Sequence, residues 1–484
     1  MTFSRNATVA ALTLTLACAV WAMLPTHARA AQSRAFVYAT DFSSGSISDI
    51  QFGPPRTVAP DQSSVSSDAV LRHHDGLLYV VNRFGFDNIQ VLDPANSFAT
   101  VQQFSVGNGS NPHDIELVST TKGYVARYES PDLWIVNPQT GAHTGTISLA
   151  AFADDDGIPE MDRMILWGGR LFVSLQRLDR NNFFTPTDSS QIVVIDVVTN
   201  ALIDADPSAP GTQGILLPFQ NPNTEIVADT NGKIVVGCTG NFGVADGGVV
   251  QIDPIALSVT SIEVSESALG GDINDVAVQT TERGFTVVSD GSFNTILKPY
   301  RRDLGTVQSP ILSTSGFFLA DIEVNDRAEL WVCDRTPSGP GIRVFDAASG
   351  SELTAMPLDT SIPPQDIAFD GVIPVGVASA GTGSEGVEFA IIGVRPNPVL
   401  LESTVYFQVG RAALPGGSGA ADLSIFDVSG RIVKRLNREL SGPGEFVLVW
   451  DGTNEQGEDA PPGVYLLHLS LGAQTSTGRV VRVR

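Results

Sequence analysis

Seven carboxylates stand at the head of similar apolar tetrads: Asp68 in DAVL, Asp114 in DIEL, Asp162 in DRMI, Glu225 in EIVA, Asp275 in DVAV, Asp321 in DIEV and Asp366 in DIAF. Carboxylates gathered by a repeat can do one of two things. Each can accept backbone N–H groups from its own loop, as Asp does in turns, which is one structural job done seven times. Alternatively, the ring can hold a cation or a polar ligand, made distinctive by the residues before the acids: Ser67, His113, Met161, Thr224, Asn274, Ala320 and Gln365. In that case Glu225, Asp275, Asn274 and His113 are candidate metal ligands or acid–base groups for a metal-dependent hydrolase or lyase.

The third unit departs most from the pattern. It carries DDDG at 154–157 and the long connection LQRLDRNNFFTPTD at 175–188. Long connections in compact domains often carry function, so Glu160, Arg163, Gln176, Arg177 and Asp179 form a candidate polar binding site. The competing reading is a salt-bridge network between the two loops. DDDG resembles a calcium loop only loosely, because ligands in such loops alternate with spacers and these acids are contiguous. Asp154 and Asp156, with Glu225 and Asp275, are the candidate metal ligands, and calcium is the only cofactor suggested. His73, His74, His113 and His143 lack helical zinc spacing. GTGSEG at 381–386 formally matches a dinucleotide fingerprint, but it lies in a Gly/Ser/Ala-rich stretch with no strand–helix context.

The elements that must position these groups follow from the spacing. Successive tetrad acids lie 46, 48, 63, 50, 46 and 45 residues apart. A period near 45 in a strand-rich chain predicts propeller blades, each a four-stranded sheet that stacks on its neighbours. Six tetrads are followed by a second apolar run such as LLYVV and then a third such as NIQVLDP, ending in turn-forming residues. The last tetrad lacks such followers, and AFVYATDFSSGSISDIQF near the N-terminus supplies them. The prediction is an all-β chain, a seven-bladed β-propeller whose final blade joins both ends, followed by a small Ig-like β-sandwich. Neighbouring strands of a blade run antiparallel, so the tetrad acids share one face with the ends of the second strands.

The sequence has 53 acidic and 29 basic residues, a net charge of -24. Residues 1–30, with an apolar run at 8–24 and Ala28-Arg29-Ala30 at its end, are expected to be a secretory signal peptide cleaved before Ala31. Removing Arg5 and Arg29 leaves 53 against 27, or -26. That charge argues against nucleic acid and anionic membranes as partners, and the mature chain is expected to have no transmembrane segment. Cys238 and Cys333 are too few for a disulfide framework and are expected to be buried thiols.

LYVVNRFGFDNIQVLDP resembles the repeats of secreted YVTN-type seven-bladed propellers. That resemblance implies the fold and admits both binding proteins and metal-dependent, lactonase-like enzymes. In the last ninety or so residues, RPNP at 395–398, IFDVSGR at 425–431, WDG at 450–452 and PGVY at 462–465 resemble FlgD-type Ig-like modules and type IX secretion (type A) sorting domains. Val399 stands where Phe is usual, and the tail ends VVRVR with Arg in place of Lys. The expected organisation is a propeller over 31–375, a flexible linker over 376–392 and the Ig-like domain over 393–484. The expected role is a secreted or cell-surface binding protein for a protein, glycan or small polar ligand, with the C-terminal domain engaging secretion or attachment machinery.

Overall fold

The computed structural model describes residues 32–187 and 189–371, and residues 389–482 with interruptions at 396–398, 400–402, 410–412, 415–418, 429, 441–443 and 473. The expected signal peptide with its cleavage site, most of the expected linker, GTGSEG and Pro396–Pro398 lie outside the described residues.

Strand character follows from burial on two faces. Leu77–Asn82, LLYVVN, lies between two neighbours in its sheet and is buried along nearly its whole length. Such doubly covered strands read as unbroken apolar runs. The next strand, Asn88–Asp93, alternates buried Ile89 and Val91 with half-buried Gln90, and the outer strand Ala99–Ser105 is largely exposed. The turns that follow third strands are made by their terminal acids. Asp93 accepts the N–H of Ala95, Asp196 those of Val198 and Thr199, and Asp253 those of Ile255 and Ala256. This is Asx-turn chemistry, in which the Asp side chain accepts N–H groups two or three residues on.

Among the described residues before 372, seven antiparallel sheets of three to five strands form, with one extra two-stranded hairpin. Their first strands touch in succession: Ala69–His74, Pro112–Ser119, Met161–Trp167, Pro222–Ala228, Asp272–Val278, Leu319–Val324 and Pro364–Phe369, which returns to Ala69–His74. The fold is therefore a β-propeller. The closing sheet runs Thr57–Val65, Gly45–Gln51, Arg34–Thr40, Pro364–Phe369, with Val37 opposite Ile367. This joins both ends of the ring in one sheet and leaves no open seam. Gln32 and Asp326 exchange bonds of 2.9 and 2.8 Å, which fastens the first described residues to the preceding sheet.

Two elements differ from the sequence pattern. The 63-residue interval has two causes, not one: the connection over 176–190, and a break in the outer strand, which pairs only as Leu202–Ile203 and Ile215–Leu216. Pro207, Pro210 and Gly211 lie in that break, where proline cannot donate to a ladder. The sheet of Leu319–Val324 has three full strands, and its outer edge is reduced to the bridges Ile342–Leu358 and Phe345–Glu352.

The C-terminal region is a β-sandwich. One sheet runs Phe389–Arg395, Ser403–Val409, Gly444–Trp450, and the other Ile432–Leu440, Gly419–Asp427, Gly463–Leu471, Gln474–Arg482. Its first strand starts at Phe389, four residues before the boundary expected at 393. Phe407, Leu423, Ile425, Trp450, Leu467 and Leu469 fill the core, and the Trp450 indole N–H donates to Thr453 O at 2.9 Å. No helix among the described residues is long and apolar enough to cross a membrane.

Candidate functional site: the acidic channel mouth

The first strands begin irregularly. Register shifts fall between Pro112 and Asp114, Met161 and Met164, Pro222 and Ile226, Ile273 and Asp275, and Leu319 and Ile322. Such bulges change which residue of a strand faces a given side. Counted back from residues paired with the second strand, the positions at one level are Val70, Asp114, Arg163, Glu225, Asp275, Asp321 and Asp366. In the third sheet the residue before the re-paired Met164 is Arg163, so Arg163, not Asp162, stands in the ring. Val70 stands there in place of Asp68, two residues earlier.

Four of the acids act as clamps. Asp114 accepts the N–H of Met164 (2.8 Å), Asp275 that of Ile322 (2.9 Å), Asp321 that of Ile367 (2.9 Å) and Asp366 that of Leu71 (2.8 Å). Each fastens its strand to the first strand of the next sheet, whereas the expected partner was the acid's own loop. Carboxylates suit the task because each has a second oxygen to spare. The pattern fails where Val70 and Arg163 interrupt it, and Glu225 is drawn instead to two arginines. Arg72 donates to Glu225 at 2.9 and 3.0 Å and to Asp114 at 2.8 Å, and Arg163 lies 3.2 Å from Glu225. Arg72 was not singled out from the sequence, although a charged residue inside an apolar first strand was the available signal. The same applies to Glu116 and Glu323, the third letters of DIEL and DIEV, which lie one layer deeper on the same strand faces.

The electrostatics are unbalanced. Arg72 and Arg163 outweigh burial and hold the Glu225 carboxyl below its ordinary range. The other acids go the opposite way. Burial, then Glu225, pushes Asp275 up to about 7, and burial pushes Asp366 up to about 6 against the pull of Arg72. Burial, then Asp275, drives Asp321 well above the carboxylate range, while burial and Asp114 raise Glu116 to about 8. Carboxylates near one axis cannot all ionise without cost.

At the outer end of this cluster is a cavity of about 140 Å³. Its walls include Asp68, Glu225, Asp275, Asp321 and Asp366, with Arg83, Arg163, Tyr38, Phe42 and Asn274. Asp68 is 48% exposed in its side chain and lies 3.6 Å from Arg83. Asp162 lies behind this layer, accepting from His113 Nδ1 at 2.7 Å and from Gln176 Nε2 at 2.8 Å. Arg83 donates to His113 Nε2 at 2.9 Å, and the His113 ring stacks on Tyr128. Burial, then Arg83, pushes His113 down to about 4, so the neutral ring uses both nitrogens and has none left to act as a base.

The third-sheet candidates do not converge. Arg163 belongs to the channel, and Gln176 links Asp162 to the Tyr128 hydroxyl. Glu160 is fully buried and accepts from Leu178 N–H (3.0 Å) and Arg180 Nε (2.8 Å), with its carboxyl pushed up to about 7 by burial. Arg180, which the sequence reading passed over, also pairs with Glu129 and lies 3.6 Å from Asp156, so it staples the inserted loop. Arg177 donates to Ser189 O, and Asp179 caps a turn at Asn181. Asp154 accepts from Asp156 N–H and the Thr187 hydroxyl, and Asp156 from Ile158 N–H, which spends these two acids of DDDG on loop geometry. Among the described residues no group of three or more His, Cys, Asp and Glu is arranged to hold a metal ion. Cys238 and Cys333 are free and buried.

Comparisons with known proteins agree with this architecture. Residues 404–474 match the FlgD Ig-like domain family. No curated protein matches the chain. Among solved structures, a Lactobacillus plantarum protein is similar with TM-score 0.51 and 13% identity, over 70% of this chain and 99% of that one. PorZ, a surface component of the type-IX secretion system of Porphyromonas gingivalis, is similar with TM-score 0.41 and 14% identity over 90% of this chain. The chain spans 63% of the length of that structure. The Dos1 propeller gives TM-score 0.43 and 10% identity, over 78% of this chain and 90% of that one. Fold and site together define a propeller with an acidic channel mouth, carrying an Ig-like domain at its C-terminal end.

Proposed function

We propose that this is a secreted or surface-displayed binding propeller that captures its ligand at the acidic channel mouth. The carrying observation is the break in the clamp pattern: Val70, Arg163 and Glu225 depart from a repeat that elsewhere fastens one sheet to the next, and a cavity opens beside them. A purely structural ring would repeat one residue. On this reading the seven sheets are seven blades of a YVTN-type propeller, residues 1–30 direct export, 376–392 link the domains, and the C-terminal domain serves sorting or attachment. A hydrolase or lyase drawing on Glu225, Asp275, Asn274 and His113 is the second reading; it is the less supported because His113 is already bonded to Asp162 and Arg83.

The test is a screen of the full chain by thermal shift against peptide, glycan and small polar ligand collections. A ligand whose stabilisation disappears in the Asp275→Asn/Asp321→Asn double variant supports the mouth. Unchanged stabilisation by every ligand found would reject it. Deleting residues 389–484 in the native host should abolish surface display, and normal display would reject the sorting role.

A further inference from the structure

Phenylalanine is ordinarily a core residue, and its distribution over this propeller is not random. Among the described residues every exposed phenylalanine lies at the mouth end. Phe42, Phe84 and Phe86 sit on connections between second and third strands, and so do Phe183, Phe184, Phe242 and Phe293. Phe317 lies just before the first strand Leu319–Val324, at the same end. Exposed apolar residues on opposite-end turns, such as Val198, Ile255 and Leu304, are aliphatic and single. Phe317 links Phe242 and Phe293 into one patch, with ring centroids 6.4 and 5.6 Å apart, and Phe42 walls the cavity itself.

Several of these rings are held at a cost. Phe42, Phe183, Phe184 and Phe293 have φ of 65°, 56°, 57° and 61°, a region that favours glycine and disfavours bulky side chains. Clustered exposed aromatics mark contact surfaces. Charge narrows the choice of partner. The cavity is walled by five carboxyl groups and two guanidinium groups, and the whole chain carries -24. A second copy of this chain, or an anionic surface, would be repelled. Volume narrows it further: about 140 Å³ is close to the ~150 Å³ cavity that admits benzene, enough for the end of one side chain but not for a sugar ring with its neighbours. The mouth already shows the matching chemistry, since the Arg335 guanidinium lies 4.7 Å from the Phe42 ring centroid.

We infer that the mouth docks a polypeptide segment presenting one lysine or arginine flanked by apolar side chains, the cation entering the acidic cavity and the apolar residues packing on the phenylalanine crown. This rests on the binding reading above and names its partner class.

The experiment selects random dodecapeptides displayed on phage against the immobilised full chain. The expected winners carry a single Lys or Arg between apolar residues. As synthetic peptides, they should bind about tenfold more weakly to Phe293→Ser/Phe317→Ser, whose rings are exposed, and to Asp275→Asn/Asp321→Asn. They should also bind more weakly as salt rises. Enrichment of acidic or uncharged peptides, or no enrichment, overturns the inference. If a glycan or small polar ligand nevertheless binds in an Asp275/Asp321-dependent way, the binding reading stands alone; if nothing binds there, both fall. Sedimentation with phosphatidylcholine vesicles, or self-association, that Phe293→Ser abolishes would also overturn it, in favour of a membrane or a second copy.

Discussion

Two buried charge clusters, one at the mouth and one between neighbouring sheets, solve the same problem differently. In the second, Arg302 donates from Nε to Glu263 at 2.9 and 3.0 Å, from Nη2 to Asp229 at 3.0 Å and from Nη1 to Thr280 O at 2.7 Å, while the Tyr300 hydroxyl donates to Glu263 at 2.9 Å. One guanidinium faces two carboxylates, and neighbouring donors satisfy the rest. At the mouth Arg72 and Arg163 serve Asp114 and Glu225, while Asp275, Asp321, Glu323 and Asp366 are forced toward protonation. A cluster whose carboxylates all share a guanidinium holds sheets together; one with carboxyls left over keeps an unmet demand for positive charge. The difference separates scaffold from site better than burial does.

The largest expected effect is at the Arg302 cluster. Arg302→Ala should cost about 3–5 kcal/mol by denaturant unfolding, because it strands two buried carboxylates. A loss below ~1 kcal/mol would show that the cluster is not a scaffold. Arg72→Met leaves Asp114 with backbone donors and Glu225 with Arg163 alone, and its cost, about 2–4 kcal/mol at pH 8, should shrink at pH 5, where those carboxyls can take up protons. Equal costs at the two pH values would erase the comparison.

The third expectation is a pH slope. Folding raises Asp275 from 3.8 to about 7 and Asp366 from 3.8 to about 6, so the folded state holds these protons more tightly than the unfolded chain does. Their contribution is most favourable below pH 3.8 and is lost as pH rises through about 6 to 7. Wild type should lose on the order of 2 kcal/mol between pH 5 and 8 relative to Asp275→Asn, and matching slopes would contradict the crowding. The smallest effect is at the crown. Phe293→Ser should change stability by no more than about 0.5 kcal/mol, since the ring is exposed, and a larger loss would make it a packing residue.

Much of the fold was legible. Asp93, Asp196 and Asp253 announced their turns, LLYVVN announced a doubly covered strand, and the orphan tetrad at Asp366 found its partners in Phe36–Ile50 because closure leaves no other strands for it. The FlgD-type module showed in IFDVSGR and PGVY. The site was less so. Arg177 and Asp179 lie on the connection that looked most functional and bond within it, Glu160 accepts from that connection from its place before Met161, and Gln176 ties Asp162 to Tyr128.

The sequence by itself determined the strand alternation, the turns and the period, because these depend on neighbours a few residues away. Tertiary structure decided which side chains meet. A strand alternates with period two, so pairing of Met164 with Val173 sets Arg163 in the channel wall and leaves Asp162 behind it, and no local pattern marks which residue resumes the pairing. Arg72 meets Glu225 across 153 residues only because the ring closes. The crown of phenylalanines escaped notice for a related reason: exposure is a property of the packed molecule, and an aromatic residue in a short loop reads as core until the fold leaves it outside.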